Sequence, residues 1–172
     1  IFRGIAKNNG FPDLYIMLTN AFSFEDNVNE WGADALVEYP PFKMLELMES
    51  YRPSGYLNPY FKGSIFDVSS FIRDKRYMLK HTNQPYFRSA LTSWDNTARK
   101  DESGFIIRNS TPKKFKEYVK KQIKKSNKMG NEYLFVNAWN EWSEGAYLEP
   151  DNKYGYAYLN AIKEAVSEME YF

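Results

Sequence analysis

Four short apolar runs constrain this chain more than any other feature: Leu14 to Thr19, Ala35 to Tyr39, Tyr86 to Thr92 and Tyr133 to Ala138. Each has the length of a strand rather than a helix. Their apolar residues are nearly continuous instead of alternating. That is the pattern of parallel strands covered on both faces, because a half-exposed strand would alternate with polar residues. Parallel neighbours need crossover connections, so helices are expected between them. Thr111 can cap one, with Pro112 at its first position. Phe115, Tyr118, Val119 and Ile123 form its apolar stripe, and Gly130 marks its exit. A last helix carries Tyr158, Leu159, Ile162, Ala165, Val166 and Met169 on one face. A weaker one is expected over Ser70 to Lys80, with Phe71, Ile72, Met78 and Leu79 inward. At the start, Ile1, Phe2, Ile5 and Ala6 have helical spacing, with Gly10 just beyond. Pro40 to Asp67 is rich in Pro, Gly, Tyr and Phe and is expected to be a long loop, with one helical turn near Met44 to Met48.

Four strand–helix units in 172 residues average about 43 residues each. Eight such units make a large (β/α)₈ barrel. The expected fold class is therefore α/β, the carboxyl-terminal half of a TIM-type barrel with about four parallel strands and flanking helices. No linker divides the chain, so residues 1–172 are expected to be one unit and a fragment of a larger domain. A half barrel leaves two open sheet edges, through which self-association is expected unless something pairs them.

Composition narrows the chemistry. There are no cysteines, so disulfide and thiolate chemistry are excluded. The single His81 has no second His or Cys with which to share a metal, and no metal site is expected. Net charge is +1, which offers no field to gather nucleic acid. The lysines between Lys113 and Lys128 are expected to be a solvated helix face. No apolar run reaches the roughly 20 residues of a membrane helix. The unusual number is the 18% of aromatic residues, which suits a ligand with flat apolar faces.

Polar groups collect where the strands end. The first strand runs into Thr19-Asn20 and the second into Glu38. The third is followed by Trp94, Asp95, Asn96 and Arg99, and the fourth by Trp139, Asn140, Glu141, Trp142, Ser143 and Glu144. In parallel α/β folds the carboxyl ends of strands carry the active site. The same residue types also cap helices, so Thr19, Asn20 and Asn96 have two readings. The densest stretch, Trp139 to Pro150, holds three carboxylates and three aromatics. One helical turn there would put Glu141 and Glu144 on one side, about 5–6 Å apart at Cβ. Like charges that close favour one protonated and one anionic group, the division of labour of a glycosidase. Trp139, Trp142 and Tyr147 could receive the C–H face of a sugar, with Glu149 beside them.

The run Asn137-Ala138-Trp139-Asn140-Glu141-Trp142-Ser143-Glu144-Gly145-Ala146-Tyr147-Leu148-Glu149-Pro150-Asp151 resembles the signature of the WbsX-like proteins of polysaccharide biosynthesis. Tyr154 to Leu159 and Ser93 to Arg99 resemble the same pattern. These proteins are similar to glycoside hydrolase family 99. The resemblance implies a barrel half and retaining catalysis by two glutamates: Glu141 as base on a sugar 2-hydroxyl, Glu144 as acid/base for the leaving oxygen. Ser143 stands where the mannosidases of that family usually carry His, and Ala146-Tyr147-Leu148 replaces a Thr-containing continuation. The implied function is a retaining glycoside hydrolase acting on an α-linked polysaccharide. The alternatives are a glycosyltransferase of O-antigen or lipopolysaccharide biosynthesis using the same residues, and a non-catalytic glycan-binding module. No cofactor is required, since two carboxylates suffice.

Overall fold

The computed structural model describes residues 1–20, 28–42, 45, 50, 58–73 and 84–170. Its main sheet has four parallel strands: β1 (Met17–Asn20), β2 (Ala35–Glu38), β4 (Tyr86–Leu91) and β7 (Leu134–Asn137). They lie side by side in chain order. Every one of the four apolar runs became one of these strands. Register pairs Met17 with Ala35, Leu36 with Tyr86 and Arg88 with Leu134. Parallel strands in sequential order, with helices on the flank, are the half-barrel arrangement. All four carboxyl ends therefore point to one rim.

A second, smaller sheet was not anticipated. Strand β3 (Ser64–Asp67) pairs in parallel with β6 (Phe105–Arg108), and β6 pairs antiparallel with β5 (Trp94–Asp95). This corrects the long loop expected over Pro40 to Asp67: its last four residues are a strand. The register depends on close backbone approach. A Cβ on Gly63 would lie 1.7 Å from the Gly104 carbonyl oxygen, so only glycine fits. The helical turn expected near Met44 to Met48 falls outside the described residues apart from Leu45, and His81 lies outside them too.

Five helices are described: α1 (Phe2–Asn8), α2 (Val68–Arg73), α3 (Thr97–Lys100), α4 (Pro112–Lys128) and α5 (Ala157–Glu170). Helix α4 starts as its sequence dictates. Pro112 needs no N–H partner at that position, and the Thr111 hydroxyl accepts the Lys114 N–H at 3.3 Å. It buries Phe115, Tyr118 and Val119, but also the polar Gln122 and Ser126. Helix α5 lies along α4 and buries Tyr158, Ala161 and Ala165, while Val166 is exposed rather than inward. The lysines of α4 are not one solvated face. Lys116 pairs with Glu164 and Glu168, and Lys120 with Glu168, tying α4 to α5. Helix α2 begins at Val68, two residues before the expected start, and its continuation to Lys80 lies outside the described residues.

The larger of two apolar clusters among the described residues joins β4, β7 and the small sheet to α4 and α5, centred on Trp94, Phe115, Tyr118 and Val119; the other packs Val28, Ala33, Leu36 and Tyr86. Trp94 stacks on Phe105 with ring centroids 5.4 Å apart and meets Phe42 edge-on. Among the described residues no helix is long and apolar enough to cross a membrane.

Candidate active site

The fourth strand, β7, leads after two residues into a hairpin. Strand β8 (Asn140–Glu141) pairs antiparallel with β9 (Ala146–Tyr147), with a 3₁₀ turn over Trp142–Glu144 between them. Gly145 closes that turn at φ +60°, a conformation strained for any side chain. It also backs onto Asp95: a Cβ there would sit 3.1 Å from the Asp95 nitrogen. The Ser93 hydroxyl donates to the Gly145 carbonyl. The hairpin is thereby clamped to the segment that follows the third strand. Below it, Leu148 N–H donates to the carbonyls of Ala138 and Trp139, and Glu149 N–H to that of Trp139. Asn137 Nδ2 reaches the Pro40 carbonyl at 2.7 Å, so the rim beyond the second strand is tied in as well.

Glu141 is the residue just before, and Glu144 the last residue of, the same 3₁₀ turn. Glu141 ends strand β8 and accepts a hydrogen bond from the Ser143 hydroxyl. Glu144 ends the 3₁₀ turn and is ion-paired with Arg99, which α3 delivers from beyond the third strand. The two carboxylates thus sit in unlike company: one beside a neutral hydroxyl, the other against a guanidinium. Their partners distinguish two residues that the sequence alone leaves alike.

The aromatics follow the same sorting. Trp142 stacks on Tyr147, centroids 3.8 Å apart and planes 17° from parallel. Trp142 Nε1 donates to Glu149 Oε2 at 2.7 Å, and the Tyr147 hydroxyl donates to Asp151 Oδ2 at 3.0 Å. Asp151 in turn accepts the Tyr154 N–H. That bond, aided by the Tyr147 hydroxyl, holds the Asp151 carboxyl below its usual range. Partial burial, then the Asp151 contact, raises the Tyr147 phenol. Trp139 and Asn140 are exposed on the hairpin, Trp139 beyond the end of β7.

Three expected ligand-binding residues are corrected. Glu38 is 4% exposed, paired with Arg88 at 3.2 Å and bonded to the Ser89 N–H and to Gln122 of α4. It serves the layer between sheet and helix. Trp94 is 2% exposed and stacked in the core, so it presents no face to a ligand. Asn96 is buried and its side-chain oxygen accepts the Phe105 N–H at 2.8 Å, holding the small sheet. Asp95, at the rim, caps α3 through the Thr97 N–H and hydroxyl. The hairpin therefore gathers Glu141, Glu144, Arg99, Trp142, Tyr147 and Glu149. Asp151 and Ser93 also shape it. Sequence reading assigned them no part, although an Asp followed four residues on by Gly155 is a turn signal.

Residues 1–162 match the model of a family described as glycosyltransferase WbsX. The chain belongs to the WbsX family. Two proteins named "Uncharacterized protein WxcX", from Xanthomonas campestris pv. campestris strains B100 and ATCC 33913, are each 30% identical over 173 residues. The match covers 96% of this chain and 24% of each relative, so the chain spans about a quarter of the length of the curated relatives it matches. A solved structure described as a glycoside hydrolase-like protein superposes with a TM-score of 0.52 at 15% identity. It covers 94% of this WbsX-family chain and 46% of the neighbour, a likeness of fold.

Proposed function

We propose that this WbsX-family chain supplies the carboxyl-terminal half of a (β/α)₈ catalytic domain that hydrolyses α-linked polysaccharide with retention. The observation that carries the reading is the hairpin after β7, which holds Glu141 and Glu144 in different company at the carboxyl ends of parallel strands. Pairs of carboxyl groups with unlike surroundings are how such enzymes divide acid from base. Glu141 acts as base on the sugar 2-hydroxyl. Glu144 is the acid/base for the leaving oxygen. Glu144 must carry a proton to act as an acid, and a guanidinium in contact opposes that. Substrate entry therefore has to draw Arg99 away, and Arg99, with half its side chain exposed, is free to turn outward. The open edge at β1 is where the remaining strands of the barrel pair.

The test is hydrolysis of a panel of α-linked oligosaccharides by the full-length protein. Glu141→Gln and Glu144→Gln should each lower turnover by at least about 10²-fold, the scale of lost acid–base catalysis. Turnover that survives both changes rejects the assignment. The family's description favours a second reading, a glycosyltransferase built on the same pair. A nucleotide diphosphate would meet Glu141, Glu144, Glu149 and Asp151 at this rim, an unfavourable field for an anion. Calorimetry separates the two: sugar-nucleotide binding supports the transferase, and its absence together with hydrolysis supports the hydrolase.

A further inference from the structure

The chain has two tryptophans whose surroundings can be compared directly. Trp94 is sealed at 2% exposure between Phe105 and Phe42 and has only a packing role. Trp142 is equally well held, yet 48% of it remains exposed. Tyr147 covers one face of its indole at stacking distance. The indole N–H, which can only donate, is satisfied by the Glu149 carboxylate at 2.7 Å. A stack on one side and a charge-assisted bond at the edge leave the ring little freedom to turn. The brace continues outward, because Tyr147 is itself held by Asp151, and Asp151 by the Tyr154 N–H at the entry to α5. So much restraint on a ring left half in water contributes little to core burial. It suits a surface built to receive something flat.

We infer that Glu149 is a positioning residue that fixes Trp142 as the stacking platform for the apolar C–H face of an uncharged pyranose, with Tyr147 backing the ring. The inference deepens the glycan-processing reading and rests on it for the class of ligand. It moves Glu149 and Tyr147 from contact with the sugar to support of the residue that makes the contact. The charge preference follows from the neighbours. Glu141, Glu144, Glu149 and Asp151, on and beside the hairpin, outnumber Arg99 whether or not it stays paired with Glu144, so a sugar carboxylate would be disfavoured.

The test uses full-length protein labelled with 5-fluorotryptophan and observed by fluorine NMR. The Trp142 line is identified as the one lost in Trp142→Phe. Neutral α-linked disaccharides, titrated as probes, should shift that line, and their uronic-acid counterparts should bind at least about fivefold more weakly. Glu149→Leu should broaden the line and weaken probe binding about tenfold, the scale of one hydrogen bond to a charged group. Glu149→Gln keeps an acceptor for the indole N–H and should recover most of that loss. The Trp94 line, buried in the core, reports whether each variant is folded. A Trp142 line that no neutral probe moves overturns the inference, as does full affinity in Glu149→Leu. The two readings fail separately. Turnover lost in Glu141→Gln with an unmoved Trp142 line rejects the platform alone. A shifted line with turnover intact in both glutamate variants rejects the catalytic assignment alone.

Discussion

Among the described residues, an Arg–Glu ion pair occurs in two opposite settings. Glu38 and Arg88 are each 4% exposed, locked between the main sheet and α4 by Ser89 and Gln122. Glu144 and Arg99 meet at the rim, where the Arg99 side chain is half in water. A sealed pair cannot exchange partners, so its role is to specify how α4 seats on the sheet. A rim pair can part when a ligand arrives, which makes it available for chemistry. Residue type does not separate the two; the face of the strand does.

The largest expected effect is on the sealed pair. Arg88→Met leaves Glu38 charged and buried, and should cost about 3–5 kcal/mol of unfolding free energy in denaturant titrations. Replacing both partners with Met should recover much of that loss, because no charge is then stranded. An Arg88→Met variant as stable as the parent would remove the distinction between the two pairs.

A smaller effect is expected from Lys125, which sits beside the sealed pair and donates to Gln122 at 3.4 Å. Burial, reinforced by the nearby Arg88 and Lys121 charges and partly offset by Glu38, pushes its amine down to about 7. The unfolded chain would keep that proton up to the ordinary lysine value of 10.5. Between those limits the unfolded state binds more protons, so stability should rise as pH climbs from about 7 toward 10.5. Lys125→Met should flatten that rise and raise the melting temperature most at and below pH 7. An unchanged pH dependence would place Lys125 in water.

The smallest stability effect belongs to the rim. Arg99→Met should cost less than Arg88→Met, about 1–2 kcal/mol of unfolding free energy, because Arg99 is half in water although Glu144 is only 14% exposed. Its activity should change far more than its stability. A loss as large as that of Arg88→Met would mean that the rim pair is structural too.

Sequence reading found the four main strands from their continuous apolar runs, although only β2 and β4 are largely buried and β1 and β7, at the sheet edges, are half-buried. It missed β3, β5 and β6, which are four, two and four residues long and depend on contacts far along the chain. It placed Glu38, Trp94 and Asn96 in the site because polar or aromatic groups at strand ends look alike whichever way they face. Period two puts Glu38 on the face of Leu36, toward the helices, but one strand read alone does not say which face that is. The hairpin residues were legible because Glu141, Trp142, Glu144, Tyr147 and Glu149 lie within nine positions, where local geometry forces proximity. Their partners were not: Arg99 reaches Glu144 across 45 residues, and only the fold joins them.

The central claim is that the rim glutamates cleave a glycosidic bond through two displacements. Proton NMR of the first sugar released by the full-length protein tests it most directly, read before the anomers equilibrate. The account predicts that the freed reducing end keeps the α configuration of the substrate. A first-formed β anomer, the product of a single displacement, would contradict it.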